Sequence, residues 1–100
     1  MAEMQLLTIV VPIDLRDDVI DALSCFAGIS GFNMSAIAGY SREHSQYDVR
    51  EQVEGCRDLS RFEVMHEFRY QKELLACLRA ALTSATARYW ITPVSEHGHL

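Results

Sequence analysis

Cysteine is scarce in this 100-residue sequence, long apolar runs are missing, and basic residues do not outnumber acidic ones. Each shortage excludes a class of function. The three cysteines, Cys25, Cys56 and Cys77, are odd in number and none pairs as C-x-x-C, so no disulfide framework is expected and the thiols read as those of a reducing compartment. Near the start, "MAEMQLLTIVVPIDL" has an apolar run of only six or seven residues, no preceding Lys or Arg, and an early proline. Neither a signal peptide nor a membrane span fits that pattern, and the expectation is a cytoplasmic protein. With 9 Lys and Arg against 14 Asp and Glu, the formal charge is −5. Phosphate backbones and anionic membranes would repel such a surface.

What is present suffices for one folded unit. Hydrophobic residues make up 49% of the chain, and no repeat, low-complexity segment or linker divides it, so residues 1–100 are expected to form a single domain. "QLLTIVVP" is β-branched and apolar at consecutive positions, the pattern of a strand covered on both faces and ended by Pro12. Asp14 is placed to cap a helix in which Leu15, Val19, Leu23 and Phe26 recur at helical spacing, with Asp17 and Asp18 in the first turn. Gly28 is expected to end that helix and Gly31 to occupy a turn with positive φ. A second strand follows, in which Met34, Ala36, Ala38 and Tyr40 alternate with Ser35, Ile37 and Gly39. Gly39, near its end, suggests a bulge or the close approach of another group.

From Ser41 to Leu59 the chain is polar and densely charged without apolar periodicity, which predicts a long loop over 41–59. "SRFEVMHEF" alternates Phe62, Val64, His66 and Phe68 against Arg61, Glu63, Met65 and Glu67, a third strand with one apolar face. "YQKELLACLRAAL" repeats Leu74, Leu75, Leu78 and Leu82 at helical spacing, and "TARYWITPV" is a β-branched and aromatic fourth strand. The order β-α-β-β-α-β predicts an α+β, ferredoxin-like fold, with two helices on one face of a four-stranded antiparallel sheet. Strand one is apolar at both parities, and strand four carries Tyr89 and Ile91 opposite Trp90 and Val94. The uncovered face is therefore expected to pack on other subunits.

The stretches "VVPIDLRDDVIDAL", "GISGFNMSAIAGYSREH" and "RFEVMHEF" resemble the PII signalling proteins. These share a strand ending in proline, a Leu-Asp-Asp-Val-type helix, a Gly-Ile-(Thr/Ser)-Gly turn and a Gly-aromatic-Gly-Arg-Gln start to a signalling loop. Ile29, Ser30 and Gly31 match the turn, and Gly39, Tyr40 and Arg42 the loop start, with Ser41 standing for a glycine and Glu43 for a glutamine. PII proteins hold nucleotide phosphates on a glycine-rich, lysine-bearing loop after the second helix. Here "TSATARYW" has no glycine and only Arg88, and "SEHGHL" replaces basic C-terminal residues, so ATP is expected to bind weakly or not at all. The short loop and "ARYWITPVSE" are similar to an uncharacterised PII-like branch associated with heavy-metal efflux systems, and more distantly to the divalent-cation tolerance protein CutA. Both kinships imply a homotrimer and suggest metals.

The resemblance implies a ligand-binding set of Ser30, Gly31, Gly39, Tyr40, Ser41, Arg42 and Arg88 at the subunit cleft. An arginine at a loop start is otherwise most often a surface ion pair. His44 and Cys56 bracket the long loop, and His97 and His99 lie two apart, which in extended backbone puts both imidazoles on one side, roughly 6–7 Å apart at Cα. These four are the candidate metal ligands for a copper- or zinc-type ion, weighed against ordinary solvation of loop and tail histidines. His66, among apolar residues, reads as a satisfied half-buried histidine, Cys25 and Cys77 as small core residues, and Tyr47 as an unmodified loop tyrosine. No nucleophile has an adjacent base, and Glu43, Asp48, Glu51 and Glu54 are spread as in a solvated segment. The expectation is a non-enzymatic sensor that binds a small ligand or ion and shows loop 41–59 to a partner protein such as a transporter. The alternatives are a metal-binding tolerance protein and a small trimeric enzyme.

Overall fold

The computed structural model describes residues 3–40, 56–83 and 87–100. Its elements are β1 (Met4–Pro12), α1 (Arg16–Ser24), β2 (Asn33–Gly39), β3 (Arg57–Glu67), α2 (Gln71–Ala81) and β4 (Arg88–Val94). The four strands form one antiparallel sheet in the order β2-β3-β1-β4, the ferredoxin-like arrangement that the alternation of elements predicts.

Strand parity decides where the core lies. Leu7, Ile9 and Val11 of β1 pair with Val64, Phe62 and Ser60 of β3, and this set faces the helices. Val19 and Leu23 of α1 and Leu74 and Leu78 of α2 close over Leu7, Ile9, Val11, Phe62 and Val64, and all are buried. Phe32, just before β2, sets its ring against Phe62 at 6.1 Å between centroids. Each fully buried side chain of this kind stabilises the fold by about 1.5–3 kcal/mol, so the stripe at positions 19, 23, 74 and 78 is what holds both helices to the sheet.

The helices start differently from the expectation at Asp14. Residues Ile13–Leu15 form a 3-10 turn closed by the Arg16 N–H donating to the Ile13 carbonyl, and no side chain caps α1. The turn runs straight into the helix, so there is no separate capping position for Asp14 to fill. An identical turn, Phe68–Tyr70, leads into α2.

Helix α1 ends at Ser24, four residues before Gly28. Gly28 serves packing instead: a Cβ there would lie 2.6 Å from Cε2 of Phe26 and 3.2 Å from Cγ of Tyr70. Gly31 has no positive φ, and a Cβ on it would meet open space. At Gly39 the close approach does occur, because a Cβ would meet Cδ1 of Leu59 on the neighbouring strand.

Residues 57–59 belong to β3 and not to the loop expected over 41–59, of which 41–55 lie outside the described residues. Arg57, Asp58 and Leu59 pair with Gly39, Ala38 and Ile37 of β2, whereas the β1 pairing ends at Pro12 opposite Leu59. The first residues of β3 thus stand with β2 as a two-stranded ribbon beyond β1. Arg57, Asp58 and Leu59 are each partly exposed there.

His66 is more deeply buried than expected, at 1% exposure. Its Nδ1 lies 3.1 Å from the Val64 carbonyl and its Nε2 3.4 Å from Oε1 of Gln71. Cys25 is exposed and Cys77 half-buried, on the flank between the helices, because Leu23 and Leu78 already fill the core stripe.

Candidate functional site

The face of the sheet turned away from the helices is built from the other parity, in rows that cross all four strands. One row runs Asn33, Glu63, Thr8, Trp90, and the next runs Ser35, Arg61, Val10, Arg88. Thr8 and Val10, in the middle of the sheet, are only 6% exposed, while Met65 and Trp90 keep 39% and 46% of their surface. Among the described residues no helix covers that face, and it presents apolar and charged side chains together.

At the end of the face where β2 begins, Ser30 and Gly31 line a groove of about 440 Å³ with Leu6, Phe32, Asn33, Glu63 and Met65. Gly39 and Tyr40 stand at the far end of β2, six residues along from Asn33 and so about 20 Å away. Tyr40 is 78% exposed. Arg88 opens β4 on the opposite edge of the sheet, three strand spacings from β2, or about 14 Å across. Ser41 and Arg42 lie outside the described residues. The chain therefore carries the described members of the ligand-binding set in three separate places.

The metal candidates are also dispersed. Cys56 is half-buried at the start of β3, His97 and His99 are exposed beyond β4, and His44 lies outside the described residues. Among the described residues, no group of three or more His, Cys, Asp or Glu side chains is placed to hold a metal ion. No helix among them is long and apolar enough to cross a membrane.

Sequence reasoning missed Arg61 and Glu63. Arg61 shares a row with Arg88, with only Val10 between them, and makes no ion pair among the described residues. Glu63 borders the groove at Ser30 and Gly31. The signal was the parity of β3, which puts Arg61, Glu63 and Met65 opposite the core residues Phe62 and Val64. What sequence alone could not supply was the register that sets them beside β1 and β4. Elsewhere, charge is locally satisfied: the Glu67 carboxylate, hydrogen-bonded at 2.8 Å, raises the pKa of the exposed Arg69 guanidinium, which also lies over the Tyr70 ring.

This arrangement is the PII-like form of the ferredoxin-like fold. The chain is similar in structure to CPII, a nitrogen regulatory PII-like protein from Thiomonas intermedia K12 whose structure was solved bound to ADP, AMP and bicarbonate, with a TM-score of 0.72 over 98% of this chain and 97% of that one, at 12% identity. The family is narrower: residues 1–100 match the model described as "Protein of unknown function (DUF3240)", and the chain belongs to that family. A DUF3240 family protein from Shewanella baltica OS155, known from a crystal structure, is 34% identical, with a TM-score of 0.83 over 100% of this chain and 99% of that one. No curated protein matches the chain.

Proposed function

We propose that this chain is one PII-like domain working as a homotrimeric, non-enzymatic regulatory protein of the cytoplasm, which binds a small ligand or ion in the cleft between subunits. The observation that carries this reading is the dispersal of Ser30 and Gly31, Gly39 and Tyr40, and Arg88 over both edges and both ends of one open sheet face. Residues 14–20 Å apart cannot grip one small molecule within a single chain. Copies packed against that face bring the end of one β2 to the Arg88 edge of another, and they cover Met65 and Trp90 at the same time.

Residues 41–55 connect Tyr40 to Cys56, the described residues on either side of them. A ligand in the cleft alters their order, and a partner protein reads the change. A transporter is the partner class implied by the resemblance to the efflux-associated branch and, more distantly, to CutA. The likeness to CPII in fold makes adenine nucleotides and bicarbonate the first ligands to try, although "TSATARYW" offers no glycines to wrap a phosphate chain.

Thermal denaturation of the purified protein with ADP, AMP, ATP, bicarbonate and divalent metals, each alone and in pairs, tests the proposal. Ligand at 100 times its Kd stabilises the folded state by about 2.7 kcal/mol, a readily measured rise in Tm. A rise with one ligand that disappears in an Arg88→Ala variant supports the cleft. No rise with any ligand, from a protein that remains monomeric, removes the sensor reading.

A further inference from the structure

The groove between the two helices holds a pair of thiols that the proposed cleft does not use. Cys25, at the end of α1, and Cys77, in α2, line one depression of about 530 Å³ with Asp18, Asp21, Ala22, Phe26 and Ala81. The Cys77 thiol donates to the Ala22 carbonyl at 3.6 Å. Cys25, the residue that closes α1, lies three positions after Ala22, so both cysteines border the same stretch of the helix contact. Both are free. The groove lies on the helical side of the sheet, remote from the open face and from Cys56 at the far end of β3.

We infer that Cys25 and Cys77 form a two-coordinate site for a soft monovalent cation of the copper(I) class. Three features select that chemistry. Thiolate sulfur prefers soft d10 ions such as copper(I) over magnesium, calcium or manganese. No third His, Cys, Asp or Glu among the described residues completes a site for a tetrahedral ion, whereas two sulfurs satisfy a linear one. The acidic residues bordering the groove, Asp18 and Asp21, favour a cation over an anion.

Binding involves no electron transfer. Each thiol gives its proton to solvent as its sulfur bonds the metal, two protons leave per ion, and the unit of two thiolates and one copper(I) carries a single negative charge. The Cys77 hydrogen bond to Ala22 is given up, which frees that sulfur to turn about χ1 toward Cys25. This site is independent of the subunit cleft and holds whether or not a ligand binds there.

The test is an anaerobic titration of the fully reduced protein with copper(I) against a chromophoric copper(I) chelator. It is run on the wild type and on the Cys25→Ser, Cys77→Ser, Cys56→Ser and His97→Ala/His99→Ala variants, with circular dichroism to confirm that each is folded. The expected result is one copper(I) per wild-type chain, loss of that ion in Cys25→Ser and in Cys77→Ser, and no change in the other two. X-ray absorption should report two sulfur neighbours. Cys25 is exposed, so Cys25→Ser keeps the test decisive even if Cys77→Ser perturbs the helix contact. Copper(I) retained in Cys25→Ser, lost in Cys56→Ser, or not bound by the wild type overturns the inference.

Discussion

Truncating Trp90 is the sharpest probe of the open face, because its neighbour supplies a matched control. Trp90 and Tyr89 are each 46% exposed, yet they point to opposite sides of β4. Trp90 sits beside Thr8 on the open face, in the row that continues to Glu63, and Tyr89 borders Ile9 and Leu82 on the helical side. A tryptophan buries up to about 250 Å², so covering the exposed part removes roughly 115 Å² from water, worth about 3 kcal/mol per subunit at 25 cal/mol per Å². Each 1.4 kcal/mol is about a tenfold change. Trp90→Ala should therefore weaken each subunit's contribution to the assembly by about a hundredfold, and Tyr89→Ala should leave association unchanged. Sedimentation equilibrium across the micromolar range reads both. A wild type that stays monomeric, or two variants that behave alike, would refute the assignment of this face to subunit contact.

Two further outcomes concern the fold. Gly28→Ala places a methyl 2.6 Å from the Phe26 ring, against an ordinary carbon contact of about 3.5–4.0 Å. Overpacking of this kind costs about 1–3 kcal/mol, less the 0.4–1 kcal/mol that alanine contributes by restricting the unfolded chain. The expected loss is about 1–2 kcal/mol, read as a lower Tm at matched protein concentration, and Phe26→Leu in the same chain should recover part of it. His66→Leu keeps the volume but removes the partner of the Val64 carbonyl and of Gln71. Urea unfolding should then shift by about 1–3 kcal/mol with an unchanged m-value, and an unmoved midpoint would show that those hydrogen bonds add nothing.

Much of the fold was legible because period and parity are strong signals. The 2-residue alternation around Phe62 and Val64 and the helical repeat through Val19 and Leu23 each pointed to one face, and the structure puts all four in the same core. The start of β3 was not legible: Arg57 and Asp58 look like loop residues, and only their pairing with β2 past the end of β1 makes them strand. Gly28 was read as a helix end because glycine there is common, while its reason is the crowding of a Cβ there by the rings of Phe26 and Tyr70. For the candidate site, the resemblance named residues at both ends of β2 and on β4, but the row that sets Arg61 and Arg88 on either side of Val10 depends on register. Cys25 and Cys77 are 52 residues apart in sequence, and only the packing of α1 on α2 brings them to one groove.

The ribbon that β2 and β3 form beyond β1 also bears on how such a protein can diversify. Gly39 and Arg57 are ladder partners, so their Cα atoms are about 5 Å apart, and residues 40–56 leave and rejoin the sheet almost at one point. Loop-closure entropy grows slowly with length, so doubling the number of residues between two such fixed points costs only about 0.6 kcal/mol. The scaffold is thus nearly indifferent to what is inserted there. That segment can change, by substitution or by length, while the core beneath it stays the same.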